Sequence, residues 1–242
     1  MDKVSFGFED VPPEEKTRRV GAVFSSVARR YDLMNDLMSG GLHRRWKDLF
    51  VRRIRPRKGE TILDMAGGTG DIAFRLARHG AKVMVADINP DMLEVGRQRA
   101  QKRNIEGLGW AVENAESLSF GDGAFDAYTI AFGIRNVTEI EAALKEAHRI
   151  LKTGGRFFCL EFSTTRWPGF ASVYDAYSMH AVPRIGKVVA RDEESYRYLV
   201  ESIRRFPPME KFSEMIGKAG FARVKAEPIL GGLVAIHSGW KI

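Results

Sequence analysis

The stretch LDMAGGTGD, residues 63–71, decides the fold. An apolar run breaks into glycines and ends on an acid, as a β-strand does when it leads into a loop that lies against a nucleotide. Glycines let the backbone approach a ligand closely, and the following helix offers its N-terminal amides. Ligands of parallel sheets bind at the carboxyl ends of the strands, so the loop from Ala66 to Gly70 is predicted to face the ligand.

Short apolar runs alternate with helical patterns on the C-terminal side of this loop. We expect helices over residues 71–79, 90–104, 139–151, 193–205 and 209–219. Seven strands are expected at TILDMA, AKVMVAD, LGWAVEN, FDAYTIAF, GRFFCLEF, ARVKAEPIL and GLVAIHSG. Such alternation is typical of βαβ units and predicts an α/β fold with a doubly wound, mostly parallel seven-stranded sheet.

No linker or internal repeat divides the chain, and we predict a single domain over residues 1–242. Val20, Phe24, Val27 and Tyr31 recur on one face of a helix, and two or three short helices are expected to follow it. The expected parts are a helical N-terminal cap (1–58), a cofactor-binding core (59–165), an aromatic and basic insert after strand 5 that caps the substrate (166–208), and a C-terminal helix with two strands (209–242).

The glycine loop is compatible with two nucleotide cofactors. Gly68, Gly70 and Ala73 match the dinucleotide pattern G-x-G-x-x-A, and Asp87 at the end of the next strand suits a ribose diol. Asp64, however, places a carboxylate inside the strand end, where a pyrophosphate would be repelled. An ammonium group would be attracted there, and S-adenosylmethionine carries an α-amino group as well as a sulfonium. The pattern therefore favours S-adenosylmethionine over NAD.

Residues that follow the second and third strands are expected to close over the adenine ring. Asn114 and Ala115 offer a side-chain amide and backbone amides. Ile88 and Met92 could enclose the ring from its two faces, although a Met at helical spacing is more often part of a core.

Composition excludes several kinds of site. The single cysteine, Cys159, excludes an internal disulfide framework and any multi-cysteine zinc site, and no carboxylate cluster suggests magnesium, so no metal is expected. The chain lacks a targeting pattern and the ~18–20 apolar residues that cross a bilayer, which predicts a cytoplasmic protein. Its net charge is +7, and residues 13–58 hold 13 Lys and Arg against 5 Asp and Glu. Such a segment can meet nucleic acid, an anionic membrane or neither.

Several long motifs closely resemble the ubiquinone/menaquinone biosynthesis C-methyltransferase family. They are VGAVFSSVARRYDLMNDLMSGGLHRRWK, LDMAGGTGD, ADINPDML, FGIRNV, YDAYSMHAVPRIG and SYRYLVESIRRFP, in a likeness from about Phe6 to Ile242. The resemblance implies a class I methyltransferase fold and methylation of a ring carbon on a polyprenylated benzoquinol or naphthoquinol. By motif match it also implies that Thr69, Asp87, Asn114 and Ala115 contact S-adenosylmethionine.

One position departs from the family pattern. Ala131 stands where relatives often have a serine, so a hydroxyl contact to the cofactor is absent and we leave this position out of the predicted site. The FGFEDV opening resembles the ubiquinone branch more closely. A polyprenyl tail would keep the substrate in a membrane, so the basic N-terminal region is expected to contact the inner, anionic membrane surface peripherally.

The chemistry requires a nucleophilic ring carbon, which a quinol gains when a hydroxyl loses its proton. Because a phenol has a pKa of about 10, the site must stabilise the anion or supply a base. We hypothesise that Arg135, in FGIRNV after the fourth strand, stabilises the phenolate and that Asn136 orients it or a water molecule. Further candidates lie in the two capping segments: Tyr31, Asp32, Asp36, Tyr177 and His180, the last as a base. Structural roles are expected for Cys159, His43, His79, His148 and His237.

Other functions remain as alternatives at this level. They are a methyltransferase acting on RNA or a soluble small molecule, an NAD-dependent oxidoreductase, and a non-catalytic subunit of a quinone-biosynthesis complex. The absence of an N/D-P-P-Y motif and of a loop cysteine makes nucleic acid the less favoured acceptor. A quinone-biosynthesis complex or a homodimer is the expected kind of assembly.

Overall fold

The structure is a computed structural model that describes residues 3–28, 35–36, 39–163 and 193–242. Four of the predicted capping residues, Tyr31, Asp32, Tyr177 and His180, lie outside the described residues, as does most of the insert predicted after the fifth strand. Those expectations stay predictions.

Within the described ranges, nine strands form a two-stranded hairpin and one seven-stranded sheet. The hairpin consists of β1 (Val4–Phe6) and β2 (Glu9–Val11). The large sheet consists of β3 (Thr61–Met65), β4 (Lys82–Asp87), β5 (Leu108–Val112), β6 (Phe125–Ala131), β7 (Leu151–Phe162), β8 (Ala222–Ile229) and β9 (Val234–Trp240). All seven strands predicted from the sequence are therefore present.

The strands of the large sheet lie in the order β5-β4-β3-β6-β7-β9-β8. Strands β3 to β7 pair in parallel, whereas β9 is antiparallel to both neighbours. The chain winds outward in one direction from β3 to β5 and in the other from β6 to β7, beyond which β8 forms the edge and β9 lies between β7 and β8. The crevice at the carboxyl ends of β3 and β6 is consequently the switch point at which doubly wound sheets bind their ligands.

Seven α-helices accompany the sheets in the described part of the chain. They are α1 (Pro13–Val27), α2 (His43–Ile54), α3 (Asp71–Ala77), α4 (Pro90–Lys102), α5 (Ile140–Ile150), α6 (Glu193–Arg205) and α7 (Met209–Lys218). α4 begins as the sequence predicts, because Asn89 accepts hydrogen bonds from two backbone amides of the first turn and Pro90 follows it.

The core lies on both faces of the large sheet. On one face, Phe50 and Ile54 of α2 pack with Ile62 and Val83 of the sheet, and on the other α5 and α7 bury Leu144 and Ile216. The apolar face of α2 holds the helix against the sheet, because Trp46, Phe50 and Ile54 recur at helical spacing and are all buried. α2 thus belongs to the sheet core, although the sequence had suggested that residues 1–58 only cap the pocket.

α1 covers the carboxyl ends of the strands. Val20 of α1 is buried against Tyr196 and Leu199 of α6. The carbonyl oxygen of Gly21, also in α1, accepts a hydrogen bond from Asn89 Nδ2 at 3.0 Å. These contacts join α1 to α6 and to the start of α4. The hairpin that precedes α1 was not predicted, since its strands are three residues long and contain both apolar and acidic side chains.

Candidate active site

The loops that follow β3 and β6 meet at the switch point. Ala66 and Phe132, the residues at these two strand ends, have φ angles of 51° and 57°, which a side chain rarely adopts. A Cβ on Gly133 would lie only 2.4 Å from the Cβ of Ala66, so the two loops approach as closely as a glycine allows. Strained backbone of this kind tends to cluster at functional sites.

A cavity of about 710 Å³ opens beside these loops, with some of its space open to solvent. α1 supplies Thr17, Val20 and Phe24 to its wall, and the β6 loop supplies Phe132 and Asn136. Five residues predicted to bind the cofactor also line it: Asp87, Ile88, Met92, Asn114 and Ala115.

Asp87 is held by backbone amides at the floor of the large cavity. Its Oδ2 accepts a hydrogen bond from the Gly68 amide at 2.9 Å, and its Oδ1 accepts one from the Asn89 amide at 2.9 Å. Burial raises the pKa of the Asp87 carboxyl to about 6, and the hydrogen bonds from these backbone amides oppose a larger rise. The carboxylate therefore bridges the glycine loop and the start of α4, and its contact with a ribose diol stays a prediction.

A smaller cavity adjoins the glycine loop and contains Asp64. This residue is 1% exposed, and its Oδ1 accepts a hydrogen bond from Thr129 Oγ1 at 2.8 Å. Its Oδ2 has no hydrogen-bond partner among the residues that the structure describes. Burial raises the pKa of the Asp64 carboxyl to about 7. An unpaired, fully buried carboxylate oxygen beside a cavity suits an ammonium ligand, because an uncompensated buried charge is costly.

Lys47 of α2 lines the same small cavity and was missed by the sequence analysis. Its Nζ lies 2.8 Å from Asp71 Oδ2, and its side chain is 4% exposed. Although burial opposes it, Lys47 and Arg75 hold the pKa of the Asp71 carboxyl well below its usual range. The available signal was a lysine at helical spacing from Val51 and Ile54 on a face otherwise buried. The wall of the small cavity thus carries one cation, Lys47, and two carboxyl groups, Asp64 and Asp71, of which Asp71 pairs with Lys47.

The remaining glycine-loop residues divide between binding and packing positions. Gly68 and Thr69 line the small cavity, as does Ala131, which we had left out of the predicted site. Thr69 Oγ1 also accepts a hydrogen bond from Arg99 at 2.8 Å. Gly70 is not among the residues that line either cavity, and a Cβ there would meet Phe74 at 2.7 Å. Its lack of a side chain therefore serves the packing of α3.

Arg135 is placed differently from our expectation. Its Nη1 donates to Glu161 Oε1 at 2.7 Å and to the Phe132 carbonyl at 2.6 Å, and the arginine is 9% exposed. It does not line the large or the small cavity. Burial raises the pKa of the Glu161 carboxyl, and Arg135 opposes that rise. Glu161 lies at the end of β7, next to β6, and the guanidinium of Arg135 therefore forms a buried ion pair with it.

Asn136 lines the large cavity, and its contact with the acceptor stays a prediction. Asp36, the one capping candidate in the described residues, accepts hydrogen bonds from His43 Nε2 at 2.9 Å and Arg44 at 2.8 Å. It thereby joins the start of α2. Cys159 and His237 are fully buried, in keeping with structural roles. No group of three or more His, Cys, Asp or Glu side chains within the described ranges could hold a metal ion.

The strand order, the acid at the end of β4 and the glycine loop after β3 define a class I methyltransferase fold that uses S-adenosylmethionine. Solved structures agree with this class: a SAM-dependent methyltransferase from Aquifex aeolicus superposes with a TM-score of 0.62 at 13% identity, over 90% of this chain and 98% of that one. The expectation of a class I fold is confirmed.

The sequence also matches the ubiE/COQ5 methyltransferase family over residues 13–241, and the chain belongs to that family. It is 68% identical to the "Ubiquinone/menaquinone biosynthesis C-methyltransferase UbiE" of Zymomonas mobilis, over 100% of both chains. It is 58% identical to the protein of the same name from a Bradyrhizobium species, over 98% of this chain and 96% of that one. The resemblance read from the motifs is therefore confirmed, and with it the enzyme class.

Proposed function

We propose that this chain transfers a methyl group from S-adenosylmethionine to a ring carbon of a polyprenylated quinol, which is 2-methoxy-6-polyprenyl-1,4-benzoquinol, demethylmenaquinol or both. The names of the two relatives support this acceptor. The observation that carries the proposal is the pair of adjoining cavities. One offers charges of both signs to a zwitterion, and the other combines apolar side chains with carboxylates, hydroxyls and the amides of Asn114 and Asn136.

The small cavity suits the amino-acid end of the cofactor. Asp64, with its unpaired Oδ2, would receive the α-ammonium group, and Lys47 would receive the α-carboxylate. A Cβ on Gly68 would approach Met92 Cε to 2.9 Å, so a side chain there would crowd the floor of the pocket. The arrangement also disfavours a dinucleotide, because Asp64 would face its pyrophosphate.

The large cavity suits the adenosine end of the cofactor and the acceptor ring. Asp87 would accept hydrogen bonds from the ribose hydroxyls. Ile88, 40% exposed, and Met92, 3% exposed, offer apolar surface to the adenine, and Asn114 with Ala115 would meet its edge.

Asn136 and the apolar side chains of α1 would hold the acceptor ring. The bound cofactor supplies an electrophilic methyl group, and the protein's task is to align a nucleophilic carbon with it and to exclude water. The described wall carries no imidazole, and its carboxylates Asp87 and Glu116 already accept hydrogen bonds from backbone amides. The side-chain amide of Asn136 would therefore be the group that meets the ring hydroxyl. The residue can donate a hydrogen bond to a phenolate oxygen and so favour loss of the proton. Arg135 would act indirectly, since its ion pair with Glu161 holds the loop that carries Asn136.

We place this enzyme at a membrane surface because a polyprenyl tail would keep its substrate in lipid. Within the described part of the chain no helix is both long and apolar enough to cross a bilayer. α2 buries its apolar face in the core and turns Arg44, Arg45, Arg52 and Arg53 outward. These arginines, here called the α2 basic face, would attract anionic lipid without inserting into it. Docking into a quinone-biosynthesis complex and homodimer formation stay predictions.

The experiment that tests the acceptor uses purified protein, S-adenosylmethionine with a deuterated methyl group, and chemically reduced demethylated benzoquinol and naphthoquinol in detergent micelles. We expect one labelled methyl on a ring carbon, located by fragmentation in a mass spectrometer, and one S-adenosylhomocysteine for each methyl. A reaction without protein is the control. Binding of S-adenosylhomocysteine without methylation of either quinol would contradict the proposal and direct the search to RNA, to soluble acceptors or to a non-catalytic role.

A further inference from the structure

Tyr198 of α6 reaches the loop after β6 from outside the large cavity. Its hydroxyl donates a hydrogen bond to Asn136 Oδ1 at 3.0 Å. Tyr198 is 4% exposed, and burial raises the pKa of its hydroxyl far above the usual value. The hydroxyl consequently stays protonated and remains a donor over any working pH.

The tyrosine is itself held by the N-terminal hairpin. The ring of Phe6 stacks on the ring of Tyr198, with centroids 4.2 Å apart and planes inclined by 16°. On the same side, Glu201 Oε2 accepts a hydrogen bond from the Phe8 amide at 3.1 Å, and Arg205 donates to the Phe8 carbonyl at 3.3 Å. Three contacts thus join one hairpin to successive turns of α6 and leave the Tyr198 ring little freedom to turn.

We propose that Tyr198 is a positioning residue that fixes the side-chain amide of Asn136 with its oxygen toward α6 and its N–H groups toward the large cavity. An asparagine amide can present either an acceptor or a donor to a ligand, and rotation by half a turn exchanges them. With its oxygen occupied by Tyr198, Asn136 presents donors. A phenolate oxygen accepts hydrogen bonds but cannot donate one, so this orientation favours the ionised ring and disfavours the neutral hydroxyl as a donor. This inference rests on the proposed quinol acceptor.

The turnover test compares Tyr198→Phe with Tyr196→Phe. Tyr196 lies on the same helix, packs in the same cluster and is fully buried, so its variant is a matched control for loss of a buried hydroxyl. We expect Tyr198→Phe to lower kcat about tenfold to a hundredfold, as loss of an oriented donor does, with KM for S-adenosylmethionine unchanged. Added to Asn136→Ala, it should lower kcat by less than about twofold further, because the two residues act as a unit.

The orientation is measured separately, in a way that needs no turnover. The side-chain amide signals of Asn136 are assigned in a ¹⁵N–¹H spectrum by their loss in Asn136→Ala. We expect them to shift in Tyr198→Phe and to stay in place in Tyr196→Phe. Unchanged signals, an unchanged kcat, or losses that multiply in the double variant would each overturn the positioning role. If the wild type itself methylates neither quinol, the proposed function fails, and the spectrum still decides whether Tyr198 orients Asn136.

Discussion

Asp64 is a carboxyl group buried at the end of a strand, and its ionisation should couple cofactor binding to pH. Burial raises its pKa to about 7, so in the unliganded protein a growing fraction is neutral as the pH falls through 7. An ammonium ligand needs the ionised form. We expect the affinity for S-adenosylhomocysteine to fall as the pH is lowered from about 8 to about 6, approaching tenfold for each unit below the pKa.

The Asp64→Asn variant isolates this dependence. It should bind S-adenosylhomocysteine more weakly at pH 8 and show a flatter affinity profile, measured by titration calorimetry. Asp126→Asn is the control, because Asp126 sits at the opposite end of the strands and accepts hydrogen bonds from Thr61 and Lys152 there. A profile in Asp64→Asn as steep as that of the wild type would show that another group, such as Asp87, governs the pH dependence.

Lys47 offers a second test at the scale of one side chain, because its proposed partner is one end of the cofactor. Lys47→Met removes the charge and keeps most of the apolar stem. We expect it to weaken binding of S-adenosylhomocysteine about tenfold or more, since charge-assisted hydrogen bonds are among the stronger ones. Binding of 5′-methylthioadenosine, which lacks the α-amino and α-carboxyl groups of the cofactor, should change by less than about twofold.

Lys47→Arg is the matched control, which should recover part of the affinity for S-adenosylhomocysteine. Equal weakening of both ligands by Lys47→Met would instead mean that the lysine only supports the packing of α2 and Asp71.

Among the elements, the two loops after β3 and β6 approach each other closely at Ala66 and Gly133. A Cβ at residue 133 would lie 2.4 Å from the Cβ of Ala66. Each of these atoms is bonded directly to the backbone, so neither can move aside without a shift of its loop. We expect Gly133→Ala to lower the free energy of unfolding by about 1–3 kcal/mol and to weaken cofactor binding, because the loops that shape both cavities must part.

Gly121→Ala is the control for this junction, since a Cβ there has open space within 4 Å. Thermal unfolding with and without S-adenosylhomocysteine measures both effects. A Gly133→Ala protein with unchanged melting temperature and ligand-induced shift would show that the junction is more compliant than its contacts suggest.

The elements also show which parts of the fold and of the site could be predicted from the sequence. The seven sheet strands could be predicted because each is a short apolar run bounded by turn residues. Asp64 and Asp87 could be placed because they fall at the ends of two of these runs. Positions that depend on packing between distant segments could not be predicted. Lys47 lines the small cavity because α2 docks on the sheet. Arg135 does not line the large cavity but pairs with Glu161, a residue of the neighbouring strand 26 positions away. An acid inside the apolar run GRFFCLEF was the available hint of that ion pair.

At the scale of the whole molecule, the two faces of the sheet differ in what they expose. α2 lies on one face and carries the α2 basic face, while α7 packs on the other, and both helices bury their apolar sides. Because no apolar side of α2 is free to enter lipid, attraction to a membrane by this helix should be electrostatic. Such attraction is screened over about 8 Å at physiological ionic strength, so it should weaken steeply with salt.

We therefore expect the protein to bind vesicles with anionic lipid more tightly than neutral vesicles, and to be released as salt is raised. Arg45→Glu/Arg52→Glu should weaken the binding markedly, since each basic residue near an anionic surface contributes about 1 kcal/mol. Lys211→Glu/Lys218→Glu on α7 changes the net charge equally, and both lysines are exposed, so it is the matched control. Equal loss in both double variants would indicate attraction through net charge alone. Equal binding of the wild type to neutral and anionic vesicles would contradict the membrane proposal while leaving the chemistry of the two cavities untouched.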